Sequence, residues 1–138
     1  MARLMLGRPV VPGYAEGVVL FSHQPLSFWG GYDHRSGEIT DRRHPLSGQI
    51  AAQRILALPW SRGSSTTTSV LLEAVRAGTA PAAIVTTAVD LYFALGSIVA
   101  RQMYGAVLPV VAVAREDFAR LCTGDSACIA EDGSIHIL

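Results

Sequence analysis

Apolar and polar positions along this chain follow two periods, and the change falls near residue 65. Before it the apolar runs are short and β-branched, and turn residues separate them. "GVVLFS" at 17–22 predicts a strand. In "QPLSFWGGYDHRSGEITD", Gly30-Gly31 and Ser36-Gly37 are turn signals around a short extended piece, "EIT". Pro45 pushes His44 out of helical geometry, so "HPLSGQ" predicts a loop or tight turn. "QRILALP" at 53–59 predicts a second strand, stopped by Pro59.

From Ser65 the spacing becomes helical, with Val70, Leu71, Leu72, Ala74 and Val75 on one broad face and Gly78 ending the helix. "AAIVTT" predicts a buried strand, "VDLYFAL" a short helix, "GSIVA" a strand, "LPVVAVA" another strand and "REDFARL" a helix. In "SACIAEDGSIHIL", Asp132-Gly133 lies between alternating segments and predicts a hairpin with a two-residue turn. Strand–helix–strand units in the second half call for a parallel or mixed sheet, and the first half reads as almost all β. The expected fold is an α/β barrel-like or layered β/β/α domain, residues 1–138, with neither internal repeat nor linker.

Composition narrows the function classes. Half of the 138 residues are hydrophobic, which excludes a disordered chain. Only 16% are charged, low for a domain that stands alone, so a partner is expected to cover part of the apolar surface. Net charge is zero and all 11 basic residues are Arg, scattered except for Arg42-Arg43. They form no cationic stripe of the kind nucleic acid requires. No apolar run reaches the roughly 20 residues that span a bilayer. The first residues, broken by Gly7, Arg8, Pro9 and Pro12, are too short for a signal peptide. Two cysteines, Cys122 and Cys128, fall short of a disulfide framework, so the expected location is the cytoplasm with both thiols reduced.

Candidate chemistry concentrates in "LPWSRGSSTTTSVLLEA" at 58–74. Gly63 permits unusual backbone angles and a close ligand approach. Ser64 or Ser65 is a natural cap for the helix that follows, whose first turn carries unpaired N–H groups and a positive dipole end. Arg62 adds a fork that fits a planar carboxylate. From these residues alone, three readings stand open: a capped helix with a solvated Arg, an anion site, and a reactive serine. The spacing of neither a P-loop nor a G-x-S-x-G elbow is present. His44 reads as a structural hydrogen bonder or a proton carrier. Phe28 and Trp29 read as core aromatics or as interface residues. His23, His34 and His136 lack metal-ligand spacing, and Glu16, Asp33 and Asp41 read as turn or solvated residues.

"PLSFWGG", "HPLSG", "LPWSRGSSTTTSVLLEA", "GTAPAAIV" and "LPVVAV", in that order, resemble the small subunit of aconitase X type dehydratases along nearly the whole chain. The resemblance implies a swivelling β/β/α domain, like the swivel of aconitase, docked on a large catalytic subunit that holds an iron–sulfur cluster. It implies that Ser64 is the catalytic base and that Arg62 binds substrate carboxylate, with Gly63 and Ser65 lending N–H groups. The substrate would be a small hydroxy acid. Either cis-3-hydroxy-L-proline, towards which the Lys-free composition leans, or a phosphorylated mevalonate would fill that role. Such a cluster needs about three Cys thiolates, and this chain has two, so no cofactor of its own is expected. Two positions depart from the family: Thr-rich "SSTTTS" follows the serine, and Gln53 stands where Gly is often found. A non-catalytic anion-binding or regulatory module is the alternative from another class. A free-standing hydrolase with a Ser nucleophile and His44 as base is a third.

Overall fold

Strict alternation inside short apolar runs decides this architecture, because neighbouring residues of a strand point to opposite faces. The computed structural model describes residues 3–138; Met1 and Ala2, with which the expected domain begins, lie outside the described residues. Eight strands, β1 (Arg3–Leu6), β2 (Arg8–Val11), β3 (Ala15–Phe21), β4 (Ile55–Ala57), β5 (Ala83–Thr86), β6 (Val110–Ala112), β7 (Ser126–Ile129) and β8 (Ser134–Ile137), form one mixed sheet. Its order is β1-β8-β7-β3-β4-β5-β6-β2. β1 and β2 are joined through Gly7 yet occupy opposite ends of that order, so the sheet curls into a nearly closed barrel. The expected mixed, barrel-like core is therefore present.

One face of each strand fills the barrel: Val19, Ile55, Ala57, Ala83, Val85 and Val111 are all buried there. The alternate residues, Leu20, Leu56, Ile84 and Val110, pack outward beneath two helices and the 22–51 loop layer. Helix α1 (Thr66–Ala77) connects β4 to β5, and α2 (Leu91–Tyr104) connects β5 to β6, all three strands running parallel. A short α3 (Arg115–Phe118) precedes β7. α1 ends as expected at Gly78, φ +78°, whose N–H bonds back to the Ala74 and Val75 carbonyls.

The structure corrects two expectations and adds two strands. "GSIVA" is no strand: residues 96–100 continue α2, a single 14-residue helix. Ile98 and Val99 favour strands weakly, but burial of Phe93, Ala94, Gly96, Ser97 and Ala100 along one helical face outweighs that preference. Gly96 makes the packing close, since a Cβ there would sit 3.0 Å from Leu71 Cδ2 of α1. The β7–β8 hairpin turns through three residues, 131–133, not two. Ala130 N–H reaches the Ser134 carbonyl, and Gly133, at φ +89°, donates to the Ala130 carbonyl. The N-terminal strands β1 and β2 carried no local signal, and they pair with β8 and β6, far along the chain.

Candidate functional site

The candidate loop leaves the C-terminal end of β4, and in open α/β sheets the crevice outside such strand ends is where ligands bind. Leu58 N–H donates to the Val85 carbonyl, and Pro59 O accepts from both N–H and Oγ1 of Thr87, so the chain stays fixed past the strand. Ser61 pairs with Leu26, and Arg62 N–H donates to the Leu26 carbonyl at 2.9 Å.

Asp90 holds the next turn in place. Its Oδ2 accepts from Ser61 N–H at 2.6 Å and Ser61 Oγ at 2.8 Å. Its Oδ1 accepts from Tyr92 and Phe93 N–H, both at 3.0 Å. Four donors satisfy one buried carboxylate, which at once caps α2 and anchors the candidate loop. Sequence reasoning missed Asp90, although an Asp directly before an apolar helical run is a capping signal.

Beyond this anchor, Arg62, Gly63, Ser64 and Ser65 are all exposed. Gly63 sits at φ +135°, where a side chain would be strained. Of the two candidate caps, Ser64 makes the bond. Its Oγ accepts from Thr66 N–H at 3.3 Å and meets Thr66 Oγ1 at 3.2 Å, whereas the Ser65 side chain caps nothing. The threonine run has its own explanation. Thr67 and Thr68 are buried, and Thr68 Oγ1 donates to the Tyr92 carbonyl, tying α1 to α2.

Beside the loop opens a cleft of about 460 Å³, lined by Arg62, Arg42, Arg43, Asp41, His44 and Gln24 among others. His44 is structural here. Its Nδ1 accepts from Leu46 N–H at 3.1 Å, which leaves Nε2 to donate to the Gln24 carbonyl at 3.1 Å. Both nitrogens are occupied, so the hydrolase reading loses its base. Phe28 and Trp29 divide. Phe28 is fully buried, stacked on Tyr32 at 4.8 Å and edge-on to Phe93 at 5.3 Å, while Trp29 is 75% exposed.

Among the described residues no three of His, Cys, Asp and Glu come together as a metal-ligand set. Cys128 contacts Glu16 and Tyr14 near the start of β3, and Cys122 is exposed on the turn before β7. Two thiols so placed do not fit the three-thiolate binding of an iron–sulfur cluster. Among the described residues no helix is long and apolar enough to cross a membrane.

Comparisons with known proteins place the fold in a family. The family model described as the aconitase X swivel domain matches residues 4–137. A cis-3-hydroxy-L-proline dehydratase of Pseudomonas aeruginosa is 45% identical over 136 residues, 99% of this chain and 23% of that protein. The phosphomevalonate dehydratase small subunit of Thermococcus gammatolerans is 36% identical, over 96% of this chain and 95% of that one. A crystal structure of Thermococcus kodakaraensis aconitase X in its holo-form superimposes with a TM-score of 0.88 at 33% identity, covering 99% of this chain and 98% of that one. The chain thus spans less than a quarter of the Pseudomonas relative, and 19% of a second hydroxyproline dehydratase, from Hypocrea jecorina.

Proposed function

This chain belongs to the aconitase X swivel-domain family, and from that membership we propose that it is the small, swivelling component of a hydro-lyase that removes water from cis-3-hydroxy-L-proline. The observation that carries the reading is Ser64, an exposed hydroxyl at the opening of α1, with Thr66 N–H directed at its Oγ. The 45% identity with the Pseudomonas dehydratase, along nearly the whole chain, supports the choice of substrate. Phosphomevalonate is the second reading, supported by the match with the Thermococcus gammatolerans small subunit along most of both chains.

In this mechanism Ser64 Oγ removes the proton α to the substrate carboxylate. A serine hydroxyl is a poor base unless its alkoxide is stabilised, and here that stabilisation comes from the helix opening. Thr66 N–H already donates to Oγ, and the Thr66 hydroxyl can turn to donate as well. The positive end of α1 favours the negative oxygen. Arg62 holds the carboxylate, and the N–H groups from Gly63 to Ser65 would stabilise the charge that develops on it. A large partner subunit would hold the iron–sulfur cluster, which supplies the Lewis acid for the departing hydroxyl. α2 exposes Leu91, Leu95, Ile98 and Met103, apolar surface that suits a chain covered by such a partner. On this reading residues 1–138 act as one domain, and its two free cysteines fit a reducing cytoplasm.

The test is reconstitution. The chain is purified anaerobically with its large-subunit partner, and loss of water from cis-3-hydroxy-L-proline and from phosphomevalonate is followed separately. Pyrroline carboxylate formed only when both chains are present is the expected result. Turnover of phosphomevalonate alone would replace the substrate, and activity of this chain without a partner would overturn the small-subunit role.

A further inference from the structure

The cleft beside the candidate loop concentrates positive charge in a molecule whose net charge is zero. Three of the 11 arginines, Arg42, Arg43 and Arg62, line one cavity of about 460 Å³. Among the described residues the ion pairs are Arg3–Asp125, Arg35–Asp33 and Arg76–Glu73, and none involves a cleft arginine. The carboxylate that lines the cleft, Asp41, uses its Oδ1 to accept from the backbone N–H of Arg43, closing a local turn. Three guanidinium groups against one carboxylate leave the cleft with an excess of positive charge, and that repulsion costs energy unless an anion joins them.

The two turns that bear these arginines are also anchored to a common segment. The buried His44 ring, next in sequence to Arg43, bonds to the Gln24 carbonyl, and Arg62 N–H bonds to the Leu26 carbonyl. His44 N–H further closes its own turn onto the Asp41 carbonyl. Residues 24–26 thus fix the backbone spacing between the Arg42-Arg43 turn and Arg62, which lowers the cost of bringing the two loops to one anion. The cavity volume falls within the range of about 300–1,000 Å³ usual for small-molecule sites.

We propose that Arg42, Arg43 and Arg62 form one carboxylate-binding cleft, so that the substrate's carboxylate is held between two loops and not by Arg62 alone. This rests on the dehydratase reading for the identity of the substrate. The cleft itself calls for a small anion, and forked guanidinium donors suit the substrate's planar carboxylate. The turn at 41–46 then becomes a specificity element, since forked guanidinium donors match a planar carboxylate.

Arg42→Gln and Arg43→Gln are each assayed in the complex with the large subunit, with Arg35→Gln, paired outside the cleft, as control. Each cleft variant is expected to raise KM about tenfold, the loss of one charge-assisted contact, with kcat within about threefold of wild type. The control is expected to leave both unchanged. Unchanged KM in both cleft variants overturns the proposal and leaves the dehydratase reading intact. Variants that shed the large subunit, while the complex that remains keeps wild-type KM, overturn it in favour of an acidic segment of the partner. A wild-type complex inactive on both cis-3-hydroxy-L-proline and phosphomevalonate sinks the dehydratase reading instead. The cleft is then decided by titrating the ¹⁵N-labelled chain with sodium acetate at constant ionic strength. Saturable shifts at residues 42, 43 and 62 uphold it, and their absence overturns it.

Discussion

Gln53 adopts φ +63°, the sole non-glycine residue with positive φ in the described structure. The departure from the family's frequent glycine is thus a strained backbone position. Left-handed geometry costs an L residue about 1–2 kcal/mol, whereas a glycine gives back about 0.5–1 kcal/mol through the entropy of its unfolded chain. Gln53 also donates from Nε2 to the Gly78 carbonyl at 3.3 Å, a long bond at an exposed position. The terms nearly cancel, so Gln53→Gly is expected to be at least as stable as wild type in urea denaturation. Gln53→Val, β-branched and unable to donate, is expected to lose about 2 kcal/mol. A glycine variant less stable than wild type by more than about 1 kcal/mol would contradict this account of the strain. Tyr32 yields a pH prediction. Its hydroxyl donates to the Thr79 carbonyl at 2.7 Å, and burial raises the phenol well above its usual value of 10.0. The folded state therefore keeps a proton that the unfolded chain loses above pH 10, so this contribution to stability is present below pH 10 and falls away above it. Thermal midpoints measured from pH 8 to 11 should drop more steeply above pH 10 in wild type than in Tyr32→Phe. Parallel curves would contradict the assignment.

At the scale of elements, the legible parts were those whose signals are local. α1 could be read because its apolar spacing, its serine cap and Gly78 agree with one another. β4 and β5 could be read because a buried strand needs only a short apolar run. α2 was split in error because Gly96-Ser97-Ile98-Val99 resembles a strand, and what makes it helical is packing against Leu71 of a different element. Asp90 stayed hidden for a related reason: its capping role was visible in principle, but its bonds to Ser61 cross from one loop to another. That double duty gives it a large expected effect. Asp90→Ala removes a helix cap and leaves two Ser61 donors unpaired, so it should cost about 3 kcal/mol in urea denaturation. Asp90→Asn keeps an oxygen for one set of donors and should lose less. Equal losses in the two variants would show that the carboxylate does not serve both elements.

The whole molecule depends on contacts that no window of sequence contains. Closure of the barrel brings β1 to β8 and β2 to β6, and Gly7 passes the junction between them. A Cβ at Gly7 would sit 2.7 Å from the Gly133 carbonyl oxygen and would overlap Val111, so the chain closes there only because that side chain is absent. By contrast, the candidate site was legible as a string, Arg62 to Ser65, because its residues are contiguous and follow the spacing of a known family. The convergence of Arg42 and Arg43 on the same cleft, set by the 24–26 segment, was not. The account's central claim is that Ser64 is the base of a reaction completed by a partner. It is tested most directly by kcat of Ser64→Ala in the reconstituted complex, with assembly checked by size exclusion. Losing one exposed cap bond should cost at most about 1 kcal/mol, so the variant remains folded. The account predicts a fall in kcat of about 10²–10⁴-fold with the complex intact and KM within a few-fold. A kcat close to wild type in an intact complex would contradict it.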